Sequence, residues 1–152
     1  MIDPARRMTL QLACLIAALQ ISTAVHAEDL PEIKVYKTPT CGCCVKWIAH
    51  LEENGFPVVS ETLENLGPIK AANGVPARVA SCHTATVNGY AIEGHVPADI
   101  ILRLLREKPD IAGVSVPGMP AGSPGMEMGN RRDPYKVISF DKDGNLAVYD
   151  QR

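Results

Sequence analysis

The stretch Thr40-Cys41-Gly42-Cys43-Cys44 places three thiols within four residues, between a predicted strand and a predicted helix. The apolar pattern before this turn predicts a strand over residues 33–37, and apolar side chains at helical spacing behind it predict a helix over residues 43–53. Free backbone N–H groups and the helix dipole favour thiolates at the start of a helix. The stretch therefore predicts a redox or metal site at this turn.

The elements that follow the cysteine turn predict an α/β fold. A strand, a short helix, a hairpin of two strands and a helix are predicted over residues 56–62, 63–72, 84–87 with 90–92, and 97–108. Asn88-Gly89 within the hairpin is a type I′ turn signal. Val58 and Val59 are expected to be buried. The order β-α-β-α-β-β-α, together with the position of the cysteines, is that of a thioredoxin-like core.

Residues 110–134 interrupt this pattern with a loop that is rich in glycine, proline and methionine. The loop is longer than ordinary connections, and such loops are usually functional or disordered. It is expected to bury little by itself. A hairpin over residues 135–140 and 146–149, joined by Asp143-Gly144-Asn145, is predicted to close the chain.

Residues 1–27 are predicted to be a secretory signal peptide that is removed. Arg6 and Arg7 precede a mostly apolar, uncharged stretch, and Val25-His26-Ala27 fits the small-x-small cleavage pattern. An uncleaved membrane anchor is the alternative. Cleavage leaves residues 28–152 as a single domain in an oxidising compartment, where free thiols need a metal or a reductant. No later segment of the sequence is apolar enough to predict a membrane span.

Three interpretations fit the cysteine turn. Cys41 and Cys44 have the spacing of a disulfide that staples the turn, and also that of a dithiol that exchanges disulfides. Cys43 adds a third soft ligand beside the pair, which favours a thiophilic metal, and copper above all. Metal binding is the favoured interpretation, and the other two stay open.

Further candidate ligands lie outside the turn. Cys82-His83 comes immediately before the strand that passes under the active-site cysteines in thioredoxin-like folds, so both side chains can reach the turn. Met126 and Met128, flanked by glycines in the loop, offer thioether donors that select Cu(I). Two other histidines are not expected to bind metal. His95 is expected to have a structural role, and His50 is expected to be solvated.

Several short strings, in order along the chain, resemble a known family. They include Thr-Pro-Thr-Cys-Gly-Cys-Cys at residues 38–44, Ser-Cys-His-Thr-Ala at 81–85, Glu-Gly-His-Val-Pro at 93–97 and Gly-Ser-Pro-Gly-Met at 122–126. Together they resemble an exported metal-binding family long catalogued as a domain of unknown function, which includes the CopG-like periplasmic copper-resistance proteins. The resemblance covers most of the chain after the predicted signal peptide.

This resemblance implies a thioredoxin-like domain that binds copper and interconverts Cu(I) and Cu(II) in Gram-negative periplasms. Carried over by motif, it assigns the core ligands to Cys41, Cys43, Cys44 and Cys82. The further candidates are His83, Met126 and Met128. Several clustered thiolates can hold more than one copper ion, because a bridging sulfur lets neighbouring cations share its charge.

Two classes of function compete. In the first, the protein binds copper and changes its oxidation state, with Cys41 and Cys44 as the catalytic dithiol. In the second, it is a thiol–disulfide oxidoreductase with Cys41 as nucleophile and Cys44 as resolving thiol. Cys82-His83 and the methionines favour the first, because thiol exchange needs neither. A chaperone that hands copper to an exporter or another periplasmic carrier is a third possibility. The formal net charge of −2, with no basic stripe, argues against a nucleic-acid partner.

Overall fold

The computed structural model describes residues 30–152, so the predicted signal peptide lies outside the described residues. Within them, the chain follows the predicted order β-α-β-α-β-β-α, adds one strand that was not predicted, and ends in the predicted hairpin. The elements are β1 (Ile33–Lys37), α1 (Gly42–Glu53), β2 (Val58–Thr62), α2 (Gly67–Ala72), a 3₁₀ turn (Ala77–Val79), β3 (Thr84–Val87), β4 (Tyr90–Gly94), α3 (Ala98–Glu107), β5 (Gly113–Val116), β6 (Lys136–Phe140) and β7 (Leu146–Gln151). This is the α/β, thioredoxin-like fold that the sequence predicts.

The strands within residues 30–152 form one seven-stranded sheet in the order β2-β1-β3-β4-β5-β6-β7. β1 and β2 are parallel and are connected through α1, whereas β3 runs antiparallel to β1 on its other side. β4 and β5 are parallel and are connected through α3, and β6 and β7 continue the sheet antiparallel. The end of β1 therefore lies beside the start of β3, which places two predicted site segments next to each other.

Helices α1 and α3 share one apolar core with the sheet. Trp47 and Leu51 of α1, and Ile101 and Leu104 of α3, are fully buried in the same cluster as Val35 of β1. Burying a large apolar side chain typically contributes about 1.5–3 kcal/mol, so this cluster holds α1 firmly against the sheet. None of the helices in residues 30–152 has the length and apolar character needed to cross a membrane.

Two expectations about burial and local structure are wrong. Val59 is 41% exposed, because β2 is an edge strand of the sheet. The segment over residues 110–134 is not all loop, since Gly113–Val116 is a buried strand parallel to β4. This strand is only four residues long, so its pairing with β4 and β6 determines its conformation more than its local sequence pattern does.

His50 was expected to face solvent, but it joins the two long helices, α1 and α3. It is half-buried, and its Nε2 accepts a hydrogen bond of 3.1 Å from the backbone N–H of Ala98, the first residue of α3. The first N–H groups of a helix lack partners within the helix, so an acceptor there is stabilising. Burial is the main reason that the pKa of His50 is lowered, although Glu127, Glu53 and Asp99 act to raise it.

We expect His50→Ala to lower the free energy of unfolding by about 0.5–2 kcal/mol above pH 6.5, the usual cost of losing a helix cap. Because the folded state favours neutral His50, this contribution is complete above pH 6.5 and is lost as the pH falls below 6.5 towards the lowered pKa. Urea unfolding over a pH series measures it. His50→Gln is the control, since it keeps an acceptor that does not titrate. A stability loss in His50→Ala that is equal above and below pH 6.5 would contradict the prediction.

Candidate metal centre

Three segments meet at the same end of three neighbouring strands, β1, β3 and β4. The cysteine turn follows β1, Cys82-His83 precedes β3, and His95 follows β4. In the sheet register, Tyr36 pairs with Thr84 and Thr84 pairs with Glu93, so the three strand ends are neighbours. Strand pairing therefore brings together thiols and imidazoles that are far apart in the sequence.

The four cysteine sulfurs of residues 30–152 form one cluster. Cys41 and Cys44 are joined as a disulfide whose Cα atoms are 5.4 Å apart, within the ordinary range. Cys43 Sγ lies 3.7 Å from Cys41 Sγ, and Cys82 Sγ lies 3.8 Å from Cys44 Sγ. All four sulfurs lie within 4.8 Å of one another. Once the disulfide is reduced, this spacing suits a thiophilic metal bridged by thiolates.

The sulfurs differ in their exposure and proton affinity. Cys44 is fully buried, whereas Cys41, Cys43 and Cys82 are partly exposed. In the described part of the chain, the free thiols are Cys43 and Cys82. Burial, followed by the nearby Cys43 thiol, raises the pKa of Cys82 to about 12. A metal that binds Cys82 must therefore displace its proton.

Two imidazoles extend the cluster on its buried side. Cys82 Sγ lies 3.2 Å from His95 Nε2 and 3.3 Å from His83 Nδ1, and the three residues form a second group of potential ligands. Both histidines are fully buried. Burial lowers the pKa of His95, and burial together with the neighbouring His95 and Lys70 lowers the pKa of His83 to about 3. Both rings are therefore neutral at physiological pH, which is the form that binds metals.

His95 is oriented for coordination by the loop that covers the site. Its Nδ1 lies 2.7 Å from the carbonyl oxygen of Pro124. A carbonyl only accepts, so we assign the proton to Nδ1 and the free lone pair to Nε2, which faces Cys82. Metal-bound histidines usually have such a partner on their second nitrogen. His83 Nε2, in contrast, is buried without a hydrogen-bond partner among the described residues. His95 is thus better organised as a ligand than His83.

Trp47 connects α1 to both histidine segments. Its indole ring lies 4.3 Å from the His83 ring, measured between centroids, and its Nε1 donates a 2.8 Å hydrogen bond to the carbonyl oxygen of Val96. Since Val96 follows His95, this contact ties the helix that carries Cys44 to the strand end that carries His95. The positions of the sulfurs and the imidazoles are therefore coupled.

The loop after β5 folds over the first turn of α1. Its buried residues are Ala121, Ser123, Pro124 and Gly125. Gly125 has a φ of +82°. A Cβ at this position would lie 2.9 Å from the Cys43 carbonyl oxygen and 2.8 Å from the backbone nitrogen of Trp47. The expectation that this segment buries little is therefore wrong. Met126 is partly buried beside Gly125, and Met128 is 58% exposed. Their role as ligands stays a prediction.

The structure brings together all five of the predicted Cys and His ligands, namely Cys41, Cys43, Cys44, Cys82 and His83. It adds His95, for which the sequence predicts a structural role. The Asn88-Gly89 turn is the sequence feature from which the position of His95 beside Cys82 could have been predicted. Pairing outward from a two-residue turn sets Thr84 opposite Glu93, and hence Cys82 opposite His95. Asn88 and Gly89 have φ values of 45° and 85°, as a type I′ turn requires.

Comparison with known proteins identifies the family. A family model described as "Protein of unknown function, DUF411" matches residues 79–126, which include Cys82, His83 and His95. Two solved structures, named copper resistance protein CopG form 1 and form 2, are 46% and 45% identical to this chain. The chain belongs to the CopG family. Each CopG match has a TM-score of 0.77 and covers 81% of this chain and 98% of the solved chain. A comparison with curated proteins finds no match. CopG membership confirms the resemblance and the fold predicted from the sequence.

We expect Gly125→Ala to push the loop away from α1 and to break the hydrogen bond between His95 and Pro124. Overpacking typically costs about 1–3 kcal/mol, in addition to the strain of alanine at positive φ. Gly118→Ala is the matched control, since Gly118 has a φ of +77° and open space around it. Urea unfolding and the NMR signal of the His95 ring N–H measure the two effects. Equal stability losses in both variants, with the ring signal intact, would show that the loop does not hold His95.

Proposed function

We propose that this protein binds copper through the sulfurs of Cys41, Cys43, Cys44 and Cys82 and interconverts Cu(I) and Cu(II) in copper resistance. The observation that carries the proposal is the cluster itself, with four sulfurs within 4.8 Å of one another. The lone pair of His95 Nε2, 3.2 Å from Cys82 Sγ, adds a nitrogen donor. Membership of the CopG family supports copper as the metal. The number of closely spaced sulfurs supports binding of more than one ion.

The donor set suits both oxidation states of copper. Thiolates select Cu(I), whereas imidazole nitrogens also suit Cu(II). Three of the four sulfurs are partly exposed, whereas Cys44, His83 and His95 are fully buried. A copper ion at Cys82 therefore has soft and borderline donors within reach of the same position.

The Cys41–Cys44 dithiol is the proposed source of electrons. Two Cu(II) ions take one electron each, while the two thiols lose their protons and form the disulfide. The products are two Cu(I) ions, two protons and the oxidised pair, and the reverse reaction oxidises Cu(I). Cys43, Cys82 and His95 keep their donor atoms when the pair is oxidised. The site thus retains ligands for Cu(I) after the electrons have been transferred.

We further propose that Met126 and Met128 act as thioether donors and that the protein works in the periplasm. Met126 follows Gly125, whose backbone packs against Cys43, and the exposure of Met128 suits a first contact with copper from solvent. The predicted signal peptide supports export. A copper exporter or a second periplasmic copper carrier is the proposed recipient of Cu(I).

A thiol–disulfide oxidoreductase is the second candidate function. It is favoured by the partial exposure of Cys41 and the complete burial of Cys44. Of the two sulfurs in the disulfide, only that of Cys41 is accessible to an incoming thiolate, which is the arrangement needed for a nucleophile and a resolving thiol. The buried donors Cys82 and His95 have no role in such an exchange, so copper chemistry accounts for more of the site.

Anaerobic titration of the reduced protein with Cu(I), with metal counted per chain, tests the cluster. We expect Cys43→Ser to lower the copper stoichiometry and to leave the fold intact, because Cys43 is partly exposed and serine is of similar size. Val45→Ser is the matched control in the same helical turn, where Val45 is 55% exposed. An unchanged stoichiometry in Cys43→Ser would contradict the cluster and favour simple dithiol exchange.

The redox step is tested by mixing the reduced protein with Cu(II) under anaerobic conditions. We expect the Cu(II) paramagnetic signal to disappear, because Cu(I) is diamagnetic. Cys41→Ser is expected to react poorly, since it cannot form the disulfide with Cys44, and Val45→Ser again serves as the control. A signal that persists with the native protein would contradict the redox role and favour a storage or chaperone function.

A further inference from the structure

A fully buried carboxylate lies behind the segment that carries Cys82. Glu93 of β4 has no exposed side-chain surface, and Thr84, its partner in β3, is equally buried. The Glu93 carboxylate pairs with the ammonium group of Lys70, which also lies 3.0 Å from Thr84 Oγ1. A buried charge is costly unless it is paired and hydrogen-bonded. This carboxylate belongs to neither group of candidate metal ligands.

The two oxygens of Glu93 hold both ends of that segment. Oε1 accepts a hydrogen bond from the backbone N–H of Ser81, and Oε2 accepts one of 2.7 Å from the hydroxyl of Thr84. The residues between these two contacts are Cys82 and His83. One buried group therefore fixes the backbone on one side of the two ligands and a side chain on the other.

The backbone after Glu93 holds the middle of the same segment. Gly94 donates its N–H to the carbonyl oxygen of His83 at 3.1 Å, and His95 follows at once. Glu93 thus sits between the two strand ends that carry the donors. Its contacts join the segment that carries Cys82 to the strand that leads to His95.

We propose that Glu93 is a positioning residue of the copper site: its carboxylate holds Ser81 and Thr84 so that Cys82 Sγ faces the other donors. The proposal rests on the proposed copper function. Glu93 acts through the backbone that carries Cys82 and does not itself contact copper. Groups that orient metal ligands in this way typically change metal affinity by about 10–100-fold when they are replaced.

The Cu(I) affinity of the reduced whole protein, measured by competition with a chromophoric Cu(I) chelator, tests this proposal. Glu93→Ala removes both acceptors and should weaken Cu(I) binding by about 10–100-fold. Thr84→Val removes the contacts of the Thr84 hydroxyl with Glu93 and Lys70 at constant shape and should weaken binding less. Thr84→Ser keeps the hydroxyl and should have native affinity. If Glu93→Ala fails to fold, the comparison of Thr84→Val with Thr84→Ser still tests whether the contact with Glu93 affects Cu(I) affinity.

Tyr90→Phe is the control for general loosening of the sheet. Tyr90 begins β4 at the end of the strand opposite Glu93, and its hydroxyl donates a 2.9 Å hydrogen bond to the carbonyl oxygen of Pro109. Tyr90→Phe removes one side-chain hydrogen bond from the same strand at nearly constant shape. The Cu(I) affinity of this variant should stay native.

A second measurement does not depend on copper. In the metal-free protein with the Cys41–Cys44 disulfide intact, iodoacetamide alkylates the free thiols, and peptide mass spectrometry follows each one. Glu93→Ala should speed the alkylation of Cys82 more than that of Cys43, because Glu93 holds the segment that carries Cys82 and makes no hydrogen bond to the one that carries Cys43.

Folded Glu93→Ala and Thr84→Val variants with native Cu(I) affinity and native Cys82 alkylation would overturn the proposal. An equal loss of affinity in Tyr90→Phe would also overturn it, because the effect would then be general. If the native protein binds no Cu(I), the proposed function fails. The alkylation rates still decide in that case whether Glu93 positions Cys82.

Discussion

The pairing of β3 with β4 is the constraint on which the site depends. The two strands are joined by the tight turn at Asn88-Gly89, which fixes their register. The residues just beyond the paired strands are Cys82-His83 on one side and His95 on the other. A slip of one residue would turn these side chains to opposite faces of the sheet. The donor geometry is thus a direct consequence of a two-residue turn that lies at the far end of the hairpin.

Helix α1 brings the remaining sulfurs to the same place, and it is held there by apolar burial. Trp47 and Leu51 anchor the helix in the core, and the Trp47 indole N–H reaches the residue that follows His95. The loop then closes over the helix start through Gly125 and Pro124. Reactive thiols need access to solvent, whereas precise imidazoles need burial, and this arrangement provides both within one cluster.

Buried polar groups around the site are largely satisfied by one another. His95 Nδ1 has the Pro124 carbonyl, and the Glu93 carboxylate has Lys70, Ser81 and Thr84 as donors. Such networks are costly when incomplete and rigid when complete. The exceptions are His83 Nε2 and Ser81 Oγ, which have no hydrogen-bond partner among the described residues. The rigid part of the site is therefore the side formed by Cys82 and His95.

The sequence by itself determined the order of elements and most of the donor set, because both are local properties. Helical spacing behind the cysteines predicts α1, and the Asn88-Gly89 turn predicts the β3–β4 hairpin, without knowledge of distant contacts. Three thiols in four residues indicate a redox or metal site in any fold. Tertiary structure alone decided what depends on neighbours. Strand β5 is a strand because β4 and β6 flank it, Val59 is exposed because β2 is at an edge, and His50 accepts a bond because α3 begins beside it. His95 becomes a candidate ligand because the strand register places its Nε2 beside Cys82. Its Nδ1 donates a hydrogen bond to a loop carbonyl 29 residues away.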